Sequence, residues 1–319
     1  MPFLLPLLLV AIVACACPRC DADTITIPPS GDTCLWENAP DSNWGAQSEI
    51  VSGVLGDNEG NPLSRALLKF DIAASIPAGS TITAAELTMT ATKTPPGAPA
   101  TEFHLLRVLA SWSEGAGSSA SPPGGATASA GETTWSHRFH PATEWTLPGG
   151  KAEVDFAEDP SSIHIVSGNS SDRPVTNLEN IFVFNAEGVS DLNSMLNFPP
   201  NDFGWVLIPD DETVVLTARR WAAREHTELA PELKITFTPP PGSAPPEIID
   251  AYFEPESGDL AVEFHSEAGA IYTLETRSDL DSGDWGVAVA DIAGVDGSVT
   301  VTTTPPPGED RLFFRVIRQ

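Results

Sequence analysis

Ala84-Ala85-Glu86-Leu87-Thr88-Met89-Thr90-Ala91-Thr92 decides the fold. Ala85, Leu87, Met89 and Ala91 alternate with Glu86, Thr88, Thr90 and Thr92, and this period of two puts the four apolar side chains on one face of a β-strand. The same alternation appears upstream, where Ala66, Leu68 and Phe70 interleave with Arg65, Leu67, Lys69 and Asp71. It appears again downstream in Leu233, Ile235 and Phe237, separated by Lys234 and Thr236. Further strands are expected at 24–27, 33–37, 49–54, 102–109, 163–166, 204–208 and 213–217. One short helix is expected near 190–196, where Leu192, Met195 and Leu196 share a helical face and Pro199-Pro200 stops the run. Thirty Pro and 25 Gly interrupt the chain too often for a helical protein. The reading is all-β, with many short strands and tight turns forming a jelly-roll β-sandwich. The stretch 114–132, rich in Ser, Gly, Ala and Pro, is expected to be a long mobile loop.

Thr238-Pro239-Pro240-Pro241-Gly242-Ser243-Ala244-Pro245-Pro246 has too few backbone donors to lie inside a sheet, so 239–247 reads as a stiff linker. It separates a jelly-roll domain at 23–238 from a second domain at 248–319. In the latter, Tyr272, Leu274 and Thr276 alternate with Ile271, Thr273, Glu275 and Arg277, and 298–303 and 312–317 add strands. About six or seven strands in so short a span suggest a small Ig-like or fibronectin-III-like sandwich.

The N-terminal residues 1–22 read as an export signal. The apolar run 3–14 has signal-peptide length and falls short of the ~20 residues that span a bilayer. Cys20-Asp21-Ala22 offers a cleavage site before Asp23, although no Lys or Arg precedes the run. Ile12-Val13-Ala14-Cys15 also fits a lipoprotein pattern, in which Cys15 would carry the lipid. Both readings place the chain outside the cell, secreted or at the cell surface. Cys15, Cys17 and Cys20 leave with the leader, which leaves Cys34 alone, a buried small hydrophobe with no disulfide partner. No other segment is apolar enough to span a membrane.

Sixteen Lys+Arg against 44 Asp+Glu give a net charge of -28. A polyanion is repelled by such a surface, so nucleic acid is excluded as a partner. Motifs for catalysis are missing: there is no Gly-x-Ser-x-Gly elbow and no Gly-rich phosphate loop. His137 and His140 stand three apart with no third His or Cys close in sequence, and that spacing on a strand or loop makes no metal site. Carboxylate pairs discriminate nothing among 44 acids. The chain therefore reads as a non-enzyme.

Several stretches together resemble one family. They are Arg65-Ala66-Leu67-Leu68-Lys69-Phe70-Asp71-Ile72 with Ile76-Pro77-Ala78-Gly79-Ser80-Thr81-Ile82 and Ala84-Ala85-Glu86-Leu87, then Trp112-Ser113-Glu114-Gly115 and Thr134-Trp135. Asn201-Asp202-Phe203-Gly204-Trp205-Val206-Leu207, Thr217-Ala218-Arg219-Arg220-Trp221-Ala222-Ala223-Arg224-Glu225 and Pro231-Glu232-Leu233 complete the set. In this order they resemble the DNRLRE domain, the carbohydrate-binding module family 96 of secreted bacterial proteins, over 24–238. The resemblance implies a jelly-roll sandwich and a non-catalytic module that binds an acidic polysaccharide such as alginate. Trp221 and Ala223 stand where the family pattern leads one to expect Phe and Ser. Tyr272-Thr273-Leu274-Glu275 through Phe314-Arg315-Val316 resembles small sandwich repeats at the ends of exported planctomycete-like proteins. Jelly-roll binding modules also commonly hold a structural calcium, for which Asp32, Glu37, Asp41 and Asp71 could supply oxygen ligands; no cofactor is otherwise implied.

Cations are scarce, so their positions are informative. Arg65 and Lys69 fall on one face of a strand, and Arg219, Arg220 and Arg224 crowd into six residues. Brought together, they would form a basic patch suited to uronic-acid carboxylates, which guanidinium groups pair bidentately. The plainer use of each is an ion pair with one of the many acids, and burial of Arg65 and Arg220 in such pairs would weaken the binding reading. Trp44 and Trp112 fall in turn-like contexts and are the tryptophans that best fit exposed platforms for sugar rings, although core is the better reading of any single Trp. A structural module of the cell surface or matrix, packing against other proteins with no glycan ligand, is the competing reading.

Overall fold

The computed structural model describes residues 22–56, 60–120, 124–240, 246–277, 285–305 and 312–318. The expected export segment with Cys15, Cys17 and Cys20, and the core of the expected linker at 241–245, lie outside the described residues. Ala22–Thr238 forms one compact unit, and the chain from Pro239 belongs to a second.

In chain order the first unit contains β1 (Asp23–Ile27), β2 (Pro29–Trp36), β3 (Ser42–Asn43), β4 (Glu49–Val54), β5 (Leu63–Phe70), the short helix α1 (Ile72–Ser75), β6 (Thr81–Lys93), β7 (Thr101–Val108), β8 (Ala126–Thr127), β9 (His137–Phe139), β10 (Thr143–Glu144), β11 (Phe156–Val166), β12 (Leu178–Val183), α2 (Ala186–Asn197), β13 (Trp205–Pro209), β14 (Arg219–Ala222) and β15 (Glu232–Thr238). Strands make up 49% of the structure and helices 7%, which fixes the all-β class. The main strands curl into the two layers of a sandwich. One layer runs β1-β15-β6-β14-β4, with β12 on the opposite edge of β6; the other runs β2-β5-β13-β7-β11. Their ladders are antiparallel throughout.

The layers meet at a corner where the end of β4 pairs with the start of β5, Gly53 opposite Ser64. Gly53 has φ 120, and a Cβ there would lie 2.6 Å from the Ala218 backbone. Only glycine tolerates both conditions, so the corner is written into the sequence at this one residue.

The inward alternation behaves as read. Ala85, Leu87, Met89 and Ala91 of β6 face Ala66, Leu68 and Phe70 of β5, Trp205 and Leu207 of β13, and Trp221 of β14 in one dry core. Cys34 lies there as well, and burial pushes its thiol up to about 12, in keeping with an inert small hydrophobe. A second core forms on the outer side of β5, where Leu67 joins Leu35, Leu106, Val108 and Val206 under Trp112, Trp135, Trp145 and Phe156. The described parts of the segment between β7 and β11 fold over that face and cover it.

Three readings change. The stretch 114–132, expected to be mobile, is strapped down in its described parts. Asn43 Nδ2 donates to the Glu114 and Thr133 carbonyls, Asn43 Oδ1 accepts from Gly117 N, and Glu132 accepts from Ala116 N and Ser129 N. The strand expected at 213–217 is a turn: Asp211 Oδ1 accepts from both Thr213 N and Thr213 Oγ1, and Leu216 adopts φ 64. This local side-chain capping outcompetes the β propensity of Val214 and Val215. The expected helix is longer, because Asn185 caps it by accepting from Gly188 N at 2.9 Å.

The second unit contains β16 (Ile248–Phe253), β17 (Leu260–Ser266), β18 (Ile271–Arg277), β19 (Gly286–Ala293), β20 (Gly297–Thr303) and β21 (Phe313–Arg318). They form two three-stranded sheets, β16-β17-β20 and β19-β18-β21. Leu260, Val262 and Phe264 of one pack on Tyr272, Leu274 and Val316 of the other, the arrangement of a small sandwich.

Candidate functional site

The structure disperses the cations that the sequence draws together. Arg65 donates Nε and Nη2 to the two carboxylate oxygens of Glu212 at 2.8 and 2.5 Å, and Nη1 to the carbonyls of Gly149 and Gly150. Its guanidinium also lies over Trp135 and Phe156 of the covering segment. Lys69, on the same face, sits 5.0 Å from the centre of the Trp112 ring. Both cations therefore hold the covering segment to the sheet and do not form a ligand patch. Trp112 and Trp44, expected as exposed platforms, are 3% and 4% exposed. Trp112 donates Nε1 to the Phe203 carbonyl at 2.8 Å, and Trp44 stacks on Trp36 with ring centres 5.4 Å apart. Their turn-like neighbours misled because the partners lie outside that local context: Phe203, far along the chain, for Trp112, and Trp36 at the end of β2 for Trp44.

The Arg219–Arg224 cluster separates for a reason that lies in strand geometry. Arg219 and Trp221 point into the sandwich, while Arg220 points out. Arg219 is fully buried and spends its guanidinium on carbonyls, Thr217 O at 2.8 Å and Pro99 O at 2.6 Å foremost. Burial pushes its pKa down to about 10. Arg224 Nε pairs with Glu114 at 2.6 Å and with Glu225 at 2.9 Å.

What remains is a cleft of about 460 Å³ on the outer face of the β4-β14-β6 layer. Val51, Arg220 and Lys93 form one cross-strand row, each the register partner of the next. Trp36, from the end of β2, and Leu216, from the turn before β14, also line the cleft. A β-bulge separates the Arg220–Lys93 and Trp221–Ala91 pairs and leaves Thr92 as the extra residue. Thr92 donates Oγ1 to Glu49 Oε1 at 2.5 Å, and the other Glu49 oxygen lies 3.4 Å from Arg220. Lys93 has no ion-pair partner shown among the described residues. Two cations side by side, with one carboxylate beside Arg220 and an aromatic ring lining the same cleft, make a concave surface that accepts an anion with an apolar face. Of the residues singled out from sequence, Arg220 belongs to this row and Arg219 borders the cleft. Lys93 and Trp36 were missed: the former sits at the polar end of β6, and the latter looks like an ordinary strand aromatic.

The four carboxylates considered for calcium do not converge among the described residues. Asp71 caps α1, Glu37 accepts from Leu63 N, and Asp32 and Asp41 belong to different groups. Asp32 instead meets Glu114 and Glu225, with ligand oxygens within 4.8 Å of one another. Burial raises the Asp32 carboxyl well above the usual range; the Arg224 N–H opposes this, and the charges of Glu225 and Glu114 add to it.

No family model matches the chain, and no curated protein matches it. No helix among the described residues is long and apolar enough to cross a membrane.

Proposed function

We propose that the chain is an exported, non-catalytic module that binds an acidic polysaccharide such as alginate, and that the cleft lined by Trp36, Lys93 and Arg220 is the binding surface. The observation that carries this reading is the cross-strand pairing of Lys93 with Arg220. Like charges directly opposed on a sheet destabilise it, and a uronic-acid chain supplies carboxylates that offset the cost. Trp36 supplies an apolar plane for the C–H face of a sugar ring. The family resemblance and the apolar N-terminal run support export and a bacterial source, whether the chain is freely secreted or held by lipid at Cys15.

The reading differs in place from the one drawn from sequence. Arg65, Lys69, Arg219 and Arg224 serve internal contacts, which favours the structural alternative for that face: a surface or matrix module that packs against other proteins. The two readings separate in affinity electrophoresis through gels containing alginate or other uronic-acid polymers. Retardation that weakens in Lys93→Ala supports glycan binding at the cleft. Unretarded migration on every anionic glycan leaves the structural module.

A further inference from the structure

We propose that Asp41, His137 and His140 form a binding site for a first-row divalent transition-metal ion, with Zn²⁺ as its natural probe. The ligand atoms of the three residues all lie within 4.8 Å of one another. On a continuing strand, residues three apart point to opposite faces, which is why the sequence spacing argued against such a site. Here β9 ends at Phe139 and the chain turns at His140, so the two rings meet edge to face with centres 5.0 Å apart. Asp41 arrives from the turn after β2.

All three backbones are clamped before any ion arrives. Ala128 N donates to Asp41 O, and Ser136 N to the neighbouring Pro40 O. His137 N donates to Thr134 Oγ1 while its carbonyl accepts from Thr134 N. His140 N donates to Glu132 O at 2.8 Å, and Gly131 N donates to His140 O at 2.6 Å. Such clamping lowers the ordering cost of binding.

The rings carry an unmet need. Nδ1 of His137 and Nδ1 of His140 are both buried and have no hydrogen-bond partner among the described residues. A buried polar atom left unpaired costs about 1–3 kcal/mol, and ring nitrogens in a metal site lose that deficit. Asp41 is within reach of the rings but forms no ion pair at 4.0 Å with either among the described residues, so a simple carboxylate–imidazolium bridge does not account for the grouping. Two imidazoles and one carboxylate suit Zn²⁺ and its first-row neighbours; Ca²⁺ and Mg²⁺ take oxygen ligands. Zn²⁺ bonds of about 2.0–2.1 Å draw tetrahedral ligands to roughly 3.3 Å apart. Asp41 is exposed, so its side chain can close that gap. The ion would staple the turn after β2 to the β9 hairpin of the covering segment, with a fourth position left for water.

The test is calorimetric titration of the full chain, stripped with chelator, with ZnCl₂, alongside Co²⁺ absorption spectra. One Zn²⁺ per chain is expected. Loss of even an outer partner of a metal site weakens binding about 10–100-fold, so Asp41→Asn and His140→Gln should each weaken it at least about tenfold. His265→Ala, an exposed histidine of the second unit, should leave it unchanged. If His140→Gln fails to fold, the exposed Asp41→Asn still decides. Absence of Zn²⁺ binding by the wild type, or wild-type affinity in Asp41→Asn, would overturn the site.

Discussion

Lys93 and Arg220 stand opposite each other on β6 and β14, two cations on one rung of the outer face. Glu49 lies against Arg220 at 3.4 Å and accepts from Thr92 with its other oxygen. Removing its charge with Glu49→Gln should lower the urea unfolding free energy by no more than about 1 kcal/mol, the scale of a partly exposed pair. The same change should strengthen retardation in alginate gels, because the row is then less neutralised. Weaker retardation would mean that the carboxylate organises the ligand contacts instead of competing with them.

Arg219 makes the opposite point about charge. Its guanidinium is fully buried and its partners are carbonyls, with no carboxylate among those shown. Arg219→Ala leaves the Thr217 and Pro99 carbonyls without this donor and opens a cavity. A buried carbonyl left unpaired costs about 1–3 kcal/mol, and the cavity adds to it, so denaturant unfolding should show a loss of at least about 1–3 kcal/mol. A change under about 1 kcal/mol would contradict the buried role.

Trp112 should behave as a core residue. Trp112→Ala is expected to cost about 3–5 kcal/mol, as large aromatic truncations do. Lys69→Met, which removes only a cation from above the ring, should cost about 0.5–1 kcal/mol. Neither should alter alginate retardation by folded protein. A selective loss of retardation in Trp112→Ala, with stability intact, would restore Trp112 as a sugar platform.

The pH dependence has a definite sign at Asp202. Burial raises its carboxyl from 3.8 to about 6; the Gly204 and Ile72 N–H groups and Lys69 pull it down, and Asp71 pushes it up. A folded-state pKa above the unfolded one means that the folded protein binds the proton more tightly. The stabilisation is full below about 3.8 and is lost as pH rises through about 6. Asp202→Asn keeps an acceptor for Gly204 N and cannot ionise. Urea titrations should show the variant gaining on the wild type between those pH values, by at most about 3 kcal/mol. A gap that is constant across this window would contradict the assignment.

The sandwich was legible because β5, β6 and β15 bury one face and alternate cleanly. The outer face of β5 was not. Leu67 sits between Arg65 and Lys69, and a local period cannot tell that Trp112, Trp135 and Trp145 come from far along the chain to cover it. That cover is what turns two apparent ligand cations into packing partners. At β14 the period of two turns Arg219 into the core and Arg220 outward, so closeness in sequence does not bring their guanidinium groups together. The turn at 211–217 was hidden by Val214 and Val215, whose β propensity is overridden by one aspartate cap. The cleft was half legible. Trp36, Lys93 and Arg220 come from three distant strands, and only the register of β6 on β14 brings the two cations together. His137 and His140 needed Asp41, almost a hundred positions away, before they looked like a site.

The most direct test of the binding account is alginate affinity for wild type against Lys93→Ala/Arg220→Ala, measured by gel retardation and titration calorimetry on protein whose unfolding curve is unchanged. The account predicts that the wild type binds, that the double variant loses at least about tenfold in affinity, equivalent to about 1.4 kcal/mol, and that added salt weakens the wild-type interaction. Wild-type affinity in the folded double variant would contradict it.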